Sequence, residues 1–465
     1  GDRVMRQDRK EEYLDTLTSQ IRYRKARESV RREIEQHLDE QIGEYLMEGM
    51  EPEEAEKEAV KQMGDPVETG ISLDRIHRPR MPWGMLLWIG ILSILGLGIY
   101  MALQASISDQ PLSWRTILGY LVILAMGLAA MTGICFADYS RISRYAREIT
   151  VALWILLYGG LWMRGLQING AKRWIDLGVT IDVGVAAWLF VPLYASVLYR
   201  CRGQGYKALI KAVAWMAPTL WLLLTMPNAS SLLVVFLAFS VIFSAAVWKG
   251  WFQIRRKTVL AVWWGGVLLA PAALLAFTGM ESYQAQRLLA LLNLGGYGPG
   301  YGVEMTRRLL ADARLVGNGG EARALLSVPN LNEKTLTFGI ACYGILAATA
   351  LLAAIVFLVF RFLKISLRQK NQLGMLMGIG ICSLFFWEIL FYVCSNIGFG
   401  GVELGGVCCP FLTFGGTQIL VTCLLFGLLL SICRYQNVAG DERKKQAGLL
   451  PKPEITGATG SGAAR

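Results

Sequence analysis

Lys172, Arg173 and Trp174 stand together in Asn169-Gly170-Ala171-Lys172-Arg173-Trp174-Ile175-Asp176-Leu177-Gly178, just beyond an apolar run. Two adjacent cations suit a phosphate or diphosphate, because Arg offers a planar fork and Lys a point charge. The same residues would also serve as an interfacial anchor. A second group, Tyr283-Gln284-Ala285-Gln286-Arg287-Leu288, brings Arg287 from a long connection. A third begins at Asn396-Ile397-Gly398 and resumes at Cys409-Pro410-Phe411-Leu412-Thr413-Phe414-Gly415-Gly416-Thr417. Pro410, Thr413, Gly415, Gly416 and Thr417 there imply irregular backbone ahead of a last apolar run. Such backbone survives at membrane depth only when buried in protein or lining a cavity. Glu333, Asp176, Asp182 and Glu304 are carboxylates able to accept a proton near these cations. Glu388 sits inside an apolar run, where an acid is expensive and marks a candidate functional group.

The elements that must hold these groups are apolar. Of 465 residues, 54% are hydrophobic and 17% charged, and mean hydropathy is +0.42. A soluble domain carries about 25% charged residues. Residues 1–80 hold 15 Lys/Arg against 20 Asp/Glu, whereas the rest holds 31 against 15. The pattern predicts a small acidic helical head, residues 1–80, on a basic membrane body, residues 81–435, followed by a disordered cytoplasmic tail, 436–465. It excludes a disulfide scaffold, a collagen and a single soluble enzyme. The body's cations lie in clusters between apolar runs, which argues against a nucleic-acid partner. His37 and His77 are the only histidines, both in the head, so a His-ligated haem is excluded. Five of the nine cysteines lie within apolar runs and act as small hydrophobes.

Ten apolar stretches of about 20 residues, the length that crosses a bilayer, lie near 83–103, 116–137, 149–166, 183–200, 208–226, 230–248, 258–279, 337–360, 373–395 and 416–433. Basic clusters such as Arg141/Arg144/Arg147 and Arg255/Arg256/Lys257 follow the even-numbered ones. The positive-inside rule then places both termini in the cytoplasm and residues 280–336 outside, as the largest external loop. The charged first thirty residues predict no cleaved leader. In the head, apolar spacing predicts helices near 9–26, 28–50 and 51–63, with Gly64-Asp65-Pro66 as a stop.

Taken together and in this order, the segments around Lys172, Asn396 and Pro410 resemble the SEDS family of polytopic cell-wall proteins, FtsW, RodA and SpoVE. The Gly-Ala-Lys-Arg-Trp-Ile segment is similar to the family's G-A-R-R-W-I. Pro-Phe-Leu-Thr-Phe-Gly-Gly-Thr is similar to its P-F-I-S-Y-G-G-S. Pro227-Asn228 looks like the start of its P-D-x-G-T, with Asn228 in place of Asp. The head, around 33–66, resembles small helical modules that precede some bacterial permease-like proteins. The resemblance covers roughly residues 85–435. It implies an all-α, multi-pass protein of the bacterial plasma membrane with about ten transmembrane helices. It implies peptidoglycan synthesis in division, shape control or sporulation, by polymerisation of lipid II, an undecaprenyl-diphosphate-linked substrate. Lys172, Arg173, Trp174, Asn228, Arg287, Pro410, Thr413, Gly415, Gly416 and Thr417 would then contact substrate. No cofactor is assigned; a diphosphate leaves room for a divalent metal such as Mg or Mn. The implied partner is a single-span transpeptidase, a class B penicillin-binding protein.

The chain departs from the family at its acids. The family's E-x-H-T-D-F segment aligns with Glu333-Lys334-Thr335-Leu336-Thr337-Phe338, so Thr337 occupies the position of the essential Asp. The Glu and Lys of the family's Q-P-S-E-x-x-K align with Val185 and Trp188. Three activities stay open: a glycosyltransferase with a displaced acid, a catalytically degenerate scaffold or regulator, and a transporter of a lipid-linked precursor. For the first, Glu333 is the substitute expected from sequence, since a helix extended back from Thr337 would put i and i+4 on one face.

Overall fold

The computed structural model describes residues 2–107, 113–168, 171–226, 229–278, 301–317, 333–399 and 405–436. Asn169, Gly170, Asn228, Arg287 and the expected tail from 437 onward lie outside the described residues. The chain divides into two compact units, one containing residues 1–79 and the other most of 80–435.

The first unit is a bundle of four helices, Asp2–Ser19, Arg24–Met47, Pro52–Gln62 and Pro66–His77. Tyr13, Leu14, Leu17, Ile21, Ala26, Val30, Leu38 and Ala59 form its core. The fourth helix is where sequence predicts a stop. Gly64 turns the chain at a φ of +77°. Asp65 then caps a new helix by accepting the Val67 N–H at 2.9 Å, with Pro66 at the first position. The stop signal for one helix is the start signal for the next.

Among the described residues, the second unit is helical apart from one small sheet, short turns and the segment 405–415. Eight helices among the described residues are long and apolar enough to cross a membrane. They match the expected runs, from Trp83–Ile107 and Trp114–Phe136 to Gln372–Asn396 and Gly416–Arg434. Ala146–Arg164 and Arg256–Thr278 are helices at the other two expected positions. The 183–200 span is the most enclosed of the eight, with 83% of it buried. It has no charge before Arg200, so close packing against neighbouring helices accounts for its burial.

The expected eighth run, 337–360, is divided. Helix Thr335–Tyr343 ends at Gly344, whose φ is +96°, and helix Ile345–Leu367 follows. The break closes on residues 314–317. The Ile345 and Leu346 N–H groups donate to the Arg314 and Leu315 carbonyls at 3.0 and 3.1 Å. A Cβ at Gly344 would lie 2.8 Å from the Leu315 oxygen, so only Gly fits both the φ and the space.

Three short antiparallel strands connect the third and fourth spans: β1 Gly165–Ile168, β2 Ala171–Asp176 and β3 Thr180–Asp182. Trp174 pairs with Asp182 and Ile175 with Ile181. Arg173 forks across the β2–β3 turn onto Asp182, with Nε to Oδ1 at 2.8 Å and Nη2 to Oδ2 at 2.5 Å. The same carboxylate caps the next helix through the Gly184 and Val185 N–H groups. Asp182 thus fixes both the hairpin and the start of the fourth span.

Two substitutions test this packing. A Cβ at Gly96 would lie 1.7 Å from the Phe411 carbonyl oxygen, whereas Gly98 has open space. Gly96→Ala is expected to lower the melting temperature of the detergent-solubilised protein clearly, and Gly98→Ala to leave it nearly unchanged. Arg173→Ala strands a half-buried Asp182, a loss of roughly 3–5 kcal/mol for a buried pair. The double variant Arg173→Gln/Asp182→Asn is expected to recover part of that loss, measured by the same melts.

Candidate functional site

The site is built on non-helical backbone between the last two spans. After Gly405 the chain runs inward through Gly406, Val407, Cys408 and Cys409, all buried, and turns at Pro410-Phe411. Phe411 adopts a φ of +69°, a conformation that costs a non-Gly residue roughly 1–3 kcal/mol. Its ring stacks on Phe426 at 5.2 Å, and its carbonyl lies against Gly96. The Thr413 hydroxyl accepts the Cys409 N–H at 3.0 Å, and the Thr413 N–H returns to the Cys409 carbonyl at 3.1 Å. Gly415 is extended and begins the last helix.

Two carboxylates hold the inward limb. Glu333 turns both oxygens to the Gly406 N–H, each at 2.9 Å. Glu388, 1% exposed on helix Gln372–Asn396, accepts the Cys408 N–H at 3.1 Å. The hairpin joins the segment at its far end. The Thr417 hydroxyl accepts the Asp182 N–H at 3.0 Å and donates to the Thr180 carbonyl at 3.3 Å. Arg173 is thereby within electrostatic reach of Asp182, Cys408 and Glu333. Burial works against its charge, yet the Asp182 carboxylate outweighs that and holds the guanidinium above its ordinary pKa.

Several expected site residues are therefore neighbours. Arg173 and Thr417 meet on Asp182, Glu333 and Glu388 hold the inward limb within electrostatic reach of Arg173, and Pro410 and Thr413 belong to the turn at the end of that limb. Trp174 lies under the Arg173 guanidinium, 5.5 Å from ring centroid to carbon. Lys172 is exposed on the same strand. Gly415 and Gly416 give the last helix its entry.

Thr337 is engaged differently. It is fully buried, and its hydroxyl is 2.9 Å from both the Asn396 carbonyl and Oδ1. Its N–H donates to Asn396 Oδ1 at 3.1 Å. Asn396 in turn donates to the Glu333 and Tyr392 carbonyls at 3.0 Å. The helix starts only at Thr335, so Glu333 precedes it. The expected i, i+4 face shared by Glu333 and Thr337 is absent, because Lys334, at φ −101° and ψ 25°, departs from helical geometry between them. Val185 and Trp188, at the family's Glu and Lys positions, are buried apolar surface.

Lys334 was not singled out by sequence. It is 1% exposed and donates to the Ser395 carbonyl at 2.8 Å and to its hydroxyl at 3.2 Å. A lysine beside a membrane entrance reads as a snorkelling anchor, and nothing local in the sequence signals its burial. Among the described residues, no three His, Cys, Asp or Glu side chains converge to hold a metal ion.

The arrangement has known counterparts. The sequence profile of the FtsW/RodA/SpoVE family, described as "Cell cycle protein", matches residues 83–438. A probable peptidoglycan glycosyltransferase FtsW of Coxiella burnetii is 27% identical over 372 residues, covering 75% of this chain and 96% of that protein. The peptidoglycan glycosyltransferase MrdB of Escherichia coli K12 is 27% identical over 280 residues, covering 58% of this chain and 72% of that protein. A chain from a peptidoglycan synthase complex that coordinates polymerization and crosslinking superposes with a TM-score of 0.61 at 21% identity, covering 76% of this chain and 98% of its own length. The rod shape determining protein RodA of Thermus thermophilus superposes at 0.51 with 18% identity, covering 77% of this chain and 97% of its own length. The fold is theirs, and with the profile spanning its whole membrane body the chain belongs to the FtsW/RodA/SpoVE family.

Proposed function

We propose that this multi-pass membrane protein works in peptidoglycan synthesis, binding lipid II and extending a glycan strand on the outer side of the bacterial plasma membrane. One observation carries the proposal: Arg173 and Thr417, from the two family-like segments, meet on Asp182, whose carboxylate takes the guanidinium and whose N–H goes to the Thr417 hydroxyl, with Glu333 within electrostatic reach. The names of the FtsW and MrdB relatives support the same activity.

The chemistry is a displacement at an anomeric carbon. A sugar hydroxyl oxygen bonds to that carbon as its bond to the diphosphate oxygen breaks. The electron pair leaves with the diphosphate, and the hydroxyl proton goes to a base. Arg173, held rigid by Asp182, presents its cation to the departing diphosphate. Lys172, exposed on the same strand, adds a mobile second cation. Arg287 and Asn228 are proposed as further substrate contacts through the family resemblance. Trp174, Pro410, Gly415 and Gly416 shape the surface around them.

A second activity, that of a silent scaffold, is favoured by a separate observation. Thr337 is sealed and hydrogen-bonded to Asn396, so the family's acid position offers no base. In either case a class B transpeptidase is the proposed partner, in line with the synthase complex that shares the fold. Both termini are proposed to be cytoplasmic. A cysteine placed at Asp312 should then react with an impermeant maleimide on intact cells, and one at Arg144 should not. The reverse pattern would put the proposed chemistry on the wrong side.

Purified full-length protein, incubated with fluorescent lipid II and Mg or Mn, with and without a transpeptidase, is expected to yield glycan ladders on a gel. Thr337→Asp restores the family acid and is expected to raise the rate about 10- to 100-fold, given that a positioned base is worth about 10²–10⁴-fold. Ladders from Thr337→Asp but none from wild type would establish the scaffold. Absence from both, where the Escherichia coli relative is active, would overturn the polymerase assignment.

A further inference from the structure

Three carboxylates gather around Arg173, and they differ in how fully they are engaged. Asp182 meets the guanidinium with both oxygens and also takes two backbone N–H groups. Glu333 meets the Gly406 N–H with both oxygens. Glu388 uses Oε2 for the Cys408 N–H, and among the described residues nothing donates to its Oε1. The three carboxylates and Arg173 lie within electrostatic reach of one another.

Glu388 is costly where it stands. It is 1% exposed within a 25-residue span of otherwise uncharged residues. An acid in such a span is a candidate for function, as a neutral residue would avoid the desolvation. Holding the Cys408 N–H does not explain the charge, since the carbonyl of a glutamine would accept the same hydrogen bond. Position 337, where the family has its acid, supplies only a buried hydroxyl that points to Asn396.

We infer that Glu388 is the proton acceptor of the proposed transfer, taking over the role that Thr337 cannot fill; the inference rests on the polymerase function above. The acceptor hydroxyl gives its proton to Glu388 Oε1 as its oxygen bonds to the anomeric carbon. The bond from that carbon to the diphosphate oxygen breaks, and the electron pair leaves with the diphosphate facing Arg173. Glu388 is sealed in the free chain, so the inward limb 405–409 must part from it as substrate enters. Gly406, at a φ of +78°, provides the swivel at the outer end of that limb.

The test uses the full-length protein, fluorescent lipid II, initial rates, lipid II binding and melting temperature. Glu388→Gln is expected to lower kcat about 100-fold or more while binding and melting stay close to wild type. Adding Thr337→Asp to that variant is expected to recover at least a tenth of the Thr337→Asp rate, which a merely structural role for Glu388 would not produce. Glu388→Asp keeps the charge and is expected to retain more activity than Glu388→Gln, an order that stays readable if both variants lose some stability. A Glu388→Gln rate within threefold of wild type, a Gln variant faster than the Asp variant, or no recovery in the double variant would each overturn the inference while leaving the polymerase function standing. Inactive wild-type and Thr337→Asp proteins would overturn both together.

Discussion

Backbone that is not helical at membrane depth has no water to turn to, so every N–H in it must find an acceptor within the protein. Between the last two spans three different groups meet part of this demand: Glu333 for Gly406, Glu388 for Cys408 and the Thr413 hydroxyl for Cys409. An unmet buried donor costs roughly 1–3 kcal/mol. Three such losses would approach the whole net stability of a typical domain, roughly 5–15 kcal/mol. The turn at Pro410-Phe411, the stacked Phe426 and the bare Cα of Gly96 all exist to let this segment pass. Arg173 follows from the same constraint, because the hairpin that carries it is tied to the segment's far end through Thr417.

Replacing an acid by Thr at position 337 does more than remove a charge. The Thr337 hydroxyl can donate to the Asn396 carbonyl, and an ionised Asp cannot. An Asp in the same place would be repelled by two oxygens of Asn396 and would have to turn away from that residue. The hydroxyl therefore closes Thr337 into the contact with helix Gln372–Asn396. Val185 and Trp188, which the resemblance sets against two ionisable family positions, are buried and uncharged. Of the charge that remains, Arg173 and Glu333 lie in family-like segments, whereas Glu388 stands outside them in the ninth expected span.

The spans were legible because each is a nearly unbroken apolar run, and composition alone fixes such a run to within a few residues: 149–166 was expected where Ala146–Arg164 is observed, and 208–226 where Tyr206–Leu224 is observed. The small sheet was not, since its strands are only three to six residues long and carry no clear alternation. The break at Gly344 depends on residues 314–317, which no local pattern connects to it. The site was half legible. Motif spacing singled out Arg173, Thr413 and Thr417, but the Arg173–Asp182 fork crosses a turn, and the bond of Thr337 to Asn396 spans 59 residues. Glu333 was read on a helical face because sequence offered no sign that the helix begins two residues later.

The charge balance of the site limits what can enter it. One guanidinium lies within electrostatic reach of three carboxylates, of which Asp182 already neutralises it through a paired fork. With Glu333 and Glu388 ionised the cluster is net negative, and a diphosphate would be repelled in a medium of low dielectric. The approach of a lipid-linked diphosphate therefore requires positive charge that the cluster itself lacks. Lys172 adds an exposed cation on the same strand, and a cation carried in with the diphosphate would serve the same end. The carboxylates that hold the segment in place thus also set the condition under which its substrate can bind, which ties the chemistry of the site to the backbone it was built to satisfy.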